Sequence, residues 1–324
     1  VTFRLSSESP NLQNLPRESD EIPERSDIKR VFIAPPGHTL LAADYSQIEI
    51  RIAALVSQDP VMLRCLAAGI DMHRLLASRI YPVPSEVHIL VDTALEMLCG
   101  SGGINKELVE QVNQALAAVI TSKMRSQAKG ANFGAIYLIG PNTLATKHLM
   151  TPEQARYALQ QFWNLFLGYK DWVERMREEL FQTLEARSLF GHVRHLYDVR
   201  SGSPAVAAEA ERAGINYPIQ STASNLTLQA GVRLMRALQQ AGMRSRIFLQ
   251  IHDELVLECP DEELEAAARL TRTIMEERAY PWLRGEDSRF PEVPEIVADL
   301  KAGRNLGELK KFFWTAGKNA DFAS

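Results

Sequence analysis

Cysteine is scarce. Cys65, Cys99 and Cys259 are the three thiols in 324 residues, too scattered for a zinc site or a disulfide framework, so a reducing compartment is expected. No apolar run reaches the ~18 residues that cross a bilayer, and the N-terminus lacks the basic-then-apolar pattern of a secretory signal, so no membrane partner is expected. Surplus positive charge is also missing. Lys and Arg total 36 against 40 Asp and Glu, a formal net charge of −4, which excludes a polycationic, histone-like binder and confines any nucleic-acid contact to a local patch. There is no internal repeat, and the GSGG string at 100–103 has neither the GxGxxG nor the GxxxxGK[ST] spacing of nucleotide loops. The chain begins at Val1, and an excised or processed product with domains upstream is expected.

What is present is globular in composition, 46% hydrophobic and 23% charged, enough for one large domain or two intimate ones. RESDEIPERSD at 17–27 reads as a surface connection. VFIAPPGHTLLAADY gives two short β runs around Pro35-Pro36-Gly37, the second being Thr39 to Tyr45. From Ser46 the period changes, and Ile48, Ile52, Leu55 and Val56 follow helical spacing. The middle third is helical. A helix pair split at Pro218 follows it, then RIFLQIHDELVLE, two β-rich runs about His252-Asp253 that predict a hairpin presenting Asp253. Pro260-Asp261-Glu262 opens an amphipathic helix to about Glu277. Strands at both ends and helices between them predict a split α+β domain, its antiparallel sheet built from the two ends.

Asp44 stands where a strand ends and Asp253 at a hairpin tip. On neighbouring strands the two carboxylates would hold hard divalent cations through oxygen, the arrangement of nucleotidyl transfer. On their own they read more simply as a helix cap and a turn residue. Arg125, Lys129, Phe133 and Tyr137 recur every fourth position, two cations and then two aromatics on one slowly drifting stripe. Cations suit a triphosphate and rings suit a base or sugar; a solvated basic end running into a core-facing aromatic end is the plainer alternative.

Together these segments resemble family A DNA polymerases. DYSQIEIR at Asp44–Arg51 is similar to that family's motif A, RSQAKGANFGAIY at Arg125–Tyr137 to motif B with RxxxKxxxFxxxY intact, and IHDELVLE at Ile251–Glu258 to motif C. RLSSESPNLQNLP from Arg4 and ERAGINYPIQSTA from Glu211 match two further blocks. The resemblance implies a palm at 1–60 and 201–324 around fingers at 61–200, with no thumb or exonuclease domain in this chain. It implies a template-directed DNA polymerase core that adds deoxynucleotides from dNTPs to a primer 3′-OH, with two Mg2+ ions, Mn2+ as substitute, and pyrophosphate released. Asp44 and Asp253 are then the metal-binding carboxylates, with the Tyr45 carbonyl as a further ligand and Glu254 adjacent. Arg125 and Lys129 grip the triphosphate, Lys129 also protonating the pyrophosphate, while Phe133 and Tyr137 pack on the nucleotide. Glu49 blocks a ribose 2′-OH, and Gln47 and His73 hold sugar and phosphate. Arg4, Arg212, Asn216, Gln220 and His252 line the minor groove of primer–template DNA. An upstream thumb or exonuclease, in the same protein or as a separate subunit, is an implied partner, and the implied setting is cytoplasm or nucleoid, or an organelle.

Four departures stand out. Leu138 and Phe3 replace usual glycines, Ser221 replaces one after the glutamine, and an extra segment at about 88–118 precedes motif B. Leu138 predicts a stiffer or differently bent helix end. The glycine turn of the extra segment predicts a surface excursion dispensable for chemistry. Against the polymerase stand a catalytically silent DNA-binding module, which has no reason to keep these acidic and basic groups, and a metal-dependent nuclease, for which two acids are few. RNA-templated synthesis remains open.

Overall fold

The computed structural model describes residues 4–15, 27–100 and 104–313. Phe3, Gly102, Gly103 and all but the last residue of the connection expected at 17–27 lie outside the described residues. Helix α1 (Asp27–Arg30) precedes strand β1 (His38–Tyr45). Next come α2 (Ile48–Ser57), α3 (Pro60–Ala68), α4 (Met72–Ile80), α5 (Ser85–Cys99), α6 (Lys106–Val119) and α7 (Ser122–Ile136). They are followed by α8 (Pro141–His148), α9 (Pro152–Leu165) and α10 (Leu167–Thr183). A short hairpin, β2 (Glu185–Arg187) and β3 (Val193–His195), leads to α11 (Pro204–Gln240). The order closes with β4 (Arg246–Ile251), β5 (Glu254–Pro260), α12 (Leu264–Glu276), α13 (Pro281–Arg284), β6 (Ala298–Gly303) and β7 (Lys310–Lys311). No described helix is long and apolar enough to cross a membrane.

Two compact units result, one of residues 1–48, 220–279 and 296–324, the other of 49–219 and 280–295. These divisions fall at different positions from the 60 and 200 read from the sequence, and long-range bonds give the reason. Within the second unit, Arg51 Nη1 donates to the Glu295 carbonyl at 2.5 Å and Gln58 Nε2 to the Glu292 carbonyl at 2.8 Å, which binds α2 to the 280–295 segment. Tyr217 of α11 packs there with Leu180, Ala186 and Leu196.

The first unit holds a five-stranded sheet in the order β4-β5-β1-β6-β7, every pairing antiparallel. Strands from both ends of the chain thus share one sheet, as an α+β fold with a helical insertion requires. β1 is the central strand, and Leu40 to Ala43 are all buried. Leu40 and Ala42 pack with Ala34, Val256 and Leu306 on one face. On the other, the Tyr45 hydroxyl donates to the Met275 carbonyl of α12 at 2.9 Å. Helix α12 turns one apolar stripe inward, burying Leu264, Ala267, Ala268, Thr271, Ile274 and Met275.

The second unit is helical. Asp59, buried, caps α3 by accepting the Met62 N–H at 2.9 Å and uses its other oxygen for the Tyr169 N–H at 3.1 Å. The extra segment is no surface excursion. It is the helical hairpin α5–α6, whose Val87, Val91, Ala94 and Leu98, with Val109, Val112 and Leu116, recur at helical spacing and are buried against the unit, α5 meeting α3 and α6 meeting α4. Nor does Pro218 split a helix pair, because α11 runs unbroken through it. Ile215, Tyr217, Ile219, Ser221, Thr222 and Ala223 are all buried around it, and such burial outweighs the roughly 3 kcal/mol that an interior proline costs.

The end of α7 bears on the Leu138 departure. Leu138 adopts φ 53°, the left-handed position that a glycine ordinarily fills. Its N–H bonds the Ala135 carbonyl at 3.0 Å, and the Ile139 N–H bonds the Gly134 carbonyl at 2.7 Å. The helix therefore ends in a glycine-type cap built on leucine. Leu138→Gly is expected to stabilise the protein by about 1 kcal/mol by relieving the left-handed strain, read as a rise in urea midpoint at constant m; an unchanged or lower midpoint would show that the leucine side chain more than offsets the strain.

Candidate functional site

In the sheet unit, the end of β1 and the β4–β5 turn set the acidic groups. Register pairs Asp44 with Glu254 of β5 on one side and with Asp299 of β6 on the other. Directly opposed residues share a sheet face, so three acids line one rung at the open end of the face that carries Leu40 and Ala42. Asp44 is exposed, whereas Glu254 and Asp299 are half-buried. His252 and Asp253 form the two-residue turn, with His252 at φ 53° and exposed. The Tyr45 N–H donates to the Asp253 carbonyl at 3.3 Å, which ties the strand end to the turn. Asp44, Tyr45, Asp253 and Glu254 are thereby brought together as the sequence predicts. Gln47 follows in the turn before α2 at φ 54°, and its Oε1 is buried and takes no hydrogen bond among the described residues. Arg4 and Gln220, both half-buried, also belong to this unit.

The donors present fit a hard divalent cation: two carboxylates, a backbone carbonyl and further acids on the same rung, all oxygen. Like charges side by side on a sheet are destabilising, and a cation would offset that repulsion. Among the described residues no three His, Cys, Asp or Glu side chains form a ready-made cage.

In the helical unit, Glu49 lies buried in the first turn of α2 and accepts the Tyr137 hydroxyl. The Tyr137 carbonyl in turn accepts Asn216 Nδ2 of α11 at 3.1 Å, while Asn216 Oδ1 is buried and takes no hydrogen bond among the described residues. Arg212, one turn earlier, is exposed. The stripe on α7 keeps its order. Lys129 is exposed, with its ammonium 6.0 Å from the Phe133 ring centroid. The Phe133 ring lies 6.0 Å from that of His73 and 6.5 Å from that of Tyr137.

Three residues join the constellations that periodicity alone does not reveal. Gln13, buried, donates to the Gln250 carbonyl at 2.5 Å and accepts the His252 N–H at 3.0 Å, clamping the turn that carries Asp253. Asp71 accepts Arg125 Nε at 2.7 Å through one oxygen and, through the other, caps α4 at the His73 and Arg74 amides, 3.0 and 3.1 Å away. Burial would raise the Asp71 carboxyl, but the Arg125 hydrogen bond and charge, with the Arg74 amide, hold it below the usual range. The aspartate directly before α4 is a cap signal legible in DMHR; its pairing with Arg125 is not. Asn132 lies within motif B but off the stripe.

Asn132 decides the state of His73. Its Nδ2 lies 3.0 Å from His73 Nδ1 and 3.4 Å from the Met72 carbonyl. A carbonyl can only accept, so the amide nitrogen faces both, His73 Nδ1 carries the lone pair, and the ring proton sits on Nε2. Burial pushes the imidazole down to about 4, Arg125 and Lys129 adding to the effect and Asp71 opposing it. His73 is thus a neutral N–H donor beside two cations.

Residues 1–89 and 96–308 match DNA polymerase family A. The chain is similar to DNA polymerase I of Chloroflexus aurantiacus, 37% identical over 275 residues that make up 85% of this chain and 25% of that protein. It is similar to thermostable DNA polymerase I of Thermus aquaticus, 34% identical over 281 residues, 87% of this chain and 29% of that one. Among solved structures, the POL domain of Pol1 from M. smegmatis, in complex with DNA primer-template and dNTP, superposes with a TM-score of 0.73 at 28% identity, over 95% of this chain and 46% of that chain. The chain spans between 25% and 29% of the length of these two curated relatives.

A histidine whose folded value of about 4 lies below its unfolded value near 6.5 takes up its proton first in the unfolded chain. Its contribution to stability is complete above pH 6.5 and is lost as pH falls towards 4. Between pH 7 and 4 the parent protein is therefore expected to lose up to about 3 kcal/mol more unfolding free energy than His73→Gln, measured by urea unfolding of both; parallel curves would place the proton on His73 in the native state.

Proposed function

The chain belongs to DNA polymerase family A, and on that premise we propose that it adds deoxynucleotides from dNTPs to a primer 3′-OH on a DNA template, with release of pyrophosphate. The observation that carries this reading is the rung of acids at the end of β1, where Asp44 faces Glu254 and the turn at Asp253 is tied to Tyr45. A central, buried strand ends there in an exposed carboxylate, an arrangement that packing alone does not call for.

Asp44, Asp253 and the Tyr45 carbonyl would hold Mg2+, with Glu254 adjacent. When bound, a pair of such ions lowers the cost of forming the attacking oxyanion and offsets charge on the leaving group. The protein's own side chains then have separable tasks. Arg125 and Lys129 bind the triphosphate, Lys129 supplies a proton to the departing pyrophosphate, and His73 donates a neutral Nε2–H to a phosphate oxygen. Gln47 holds sugar or phosphate. Phe133 and Tyr137 present their faces to the base and sugar. Glu49, fixed by the Tyr137 hydroxyl, occupies the volume of a ribose 2′-OH. Arg4, Arg212, Asn216, Gln220 and His252 contact the primer–template minor groove, where correctly paired bases present the same acceptors whatever the sequence.

Primer extension tests the reading. Asp44→Asn and Asp253→Asn are each expected to lower single-nucleotide addition in Mg2+ by at least about a thousandfold while primer–template affinity stays within about tenfold. Turnover close to that of the parent in either variant would exclude the carboxylate assignment, and a parent chain that binds primer–template without extending it would favour a silent DNA-binding module. Glu49→Ala is expected to lower the ratio of kcat/KM for dNTP over rNTP by at least about tenfold; a constant ratio would place sugar selection elsewhere.

A further inference from the structure

The hairpin α5–α6 carries none of the residues assigned to the nucleotide, yet one of its side chains reaches the cluster that holds Arg125. Asn113, half-buried on α6, accepts the Asp71 N–H at 3.2 Å through Oδ1 and donates through Nδ2 to the Gly69 carbonyl at 3.1 Å. These two bonds bracket the link between α3 and α4. Gly69 closes α3 at φ 76°, in the left-handed region, and Ile70 beneath the bracket is buried. Buried Val109, Val112 and Leu116 fix the helix from which Asn113 projects.

Four demands meet at Asp71. One oxygen accepts the His73 and Arg74 amides, the other accepts Arg125 Nε and lies 3.6 Å from Arg74 Nε, and the backbone N–H is held by Asn113. A carboxylate can cap a helix and orient a guanidinium at once only if its own backbone is held still, since any swing that improves one bond lengthens the other. The amide of Asn113 supplies that restraint from both flanks of Ile70. Arg125 meets Asp71 through Nε, and its side chain stays 37% exposed.

We propose that Asn113 is a positioning residue for the nucleotide's phosphates, acting through Asp71 on Arg125, so that the α5–α6 hairpin tunes nucleotide affinity from outside the motifs that bind it. This rests on the nucleotide-addition reading above. It also replaces the expectation that the segment at 88–118 is dispensable.

The test is steady-state primer extension by the full chain across dNTP concentrations. Asn113→Ala is expected to raise the dNTP KM by about three- to tenfold with kcat within about twofold, whereas Gln114→Ala, its exposed neighbour on the helix, leaves KM where it was. In an Asp71→Ala background, Asn113→Ala is expected to add less than about twofold, because the group through which it acts is gone. A merely structural contribution would lower the active fraction, and hence kcat, at every dNTP concentration. A KM within about twofold of the parent, or a full additive increment in the Asp71→Ala background, overturns the proposal. Asn113→Ser carries the same expectations if Asn113→Ala does not fold. Should the parent chain extend no primer, the nucleotide-addition reading fails by itself, and amide hydrogen exchange then judges the bracket: exchange at His73 and Arg74 at least about tenfold faster in the Asn113 variant supports it, and unchanged exchange overturns it.

Discussion

Register along β1 is the constraint on which the sheet unit depends. The strand is hydrogen-bonded on both sides, to β5 and to β6. A slip of one residue would turn Leu40 and Ala42 away from Val256 and Leu306 and carry Asp44 to the opposite face. Burial of four consecutive small or aliphatic residues therefore fixes where the carboxylate emerges. The same hydrophobic term that stabilises the sheet places Asp44 beside Glu254 and Asp299, a juxtaposition that electrostatics alone would oppose.

Around this frame, the polar groups near the acids are held by backbone. Gln13 bonds the Gln250 carbonyl near the end of β4 and the His252 amide of the turn, and Tyr45 bonds the Asp253 carbonyl. Neither bond consumes a carboxylate oxygen. These bonds hold the backbone of the turn in place, the condition under which an oxygen-ligand site costs little reorganisation on binding.

The helical unit solves a different problem, how to keep several cations near one another. Asp71 neutralises Arg125, and the charge-assisted bond keeps that carboxyl ionised well into acid. His73 contributes no charge, because Asn132 and burial hold it neutral. Lys129 is solvated and leans on the Phe133 ring. The aromatics are set in their turn, Tyr137 through Glu49 and Asn216. Arg125 and His73 thus answer to Asp71 and Asn132, residues given no contact with the nucleotide, and Asn113 extends that logic to the α5–α6 hairpin.

Local periodicity determined a good deal. Alternation about His252-Asp253 and the break at Ser46 encode the hairpin and the strand-to-helix change, because each depends only on residues close in the chain. Four-residue spacing places Arg125, Lys129, Phe133 and Tyr137 on one helix, and five ordered blocks identify the family. Tertiary structure decided the rest. Pro218 passes through α11 because burial on all sides overrides an intrinsic helix breaker, and Leu138 takes a glycine's conformation because the capping bonds at the end of α7 demand it. The segment at 88–118 is part of the core because its apolar stripes find α3 and α4, and whether such stripes meet a partner cannot be told from the stripes themselves. Asp71 with Arg125, Asn132 with His73, and Asn113 with Gly69 and Asp71 are bonds between residues tens of positions apart. Such pairings leave no mark in composition or spacing, since the packing of apolar surfaces brings the partners together and the hydrogen bonds form only where that packing has delivered them.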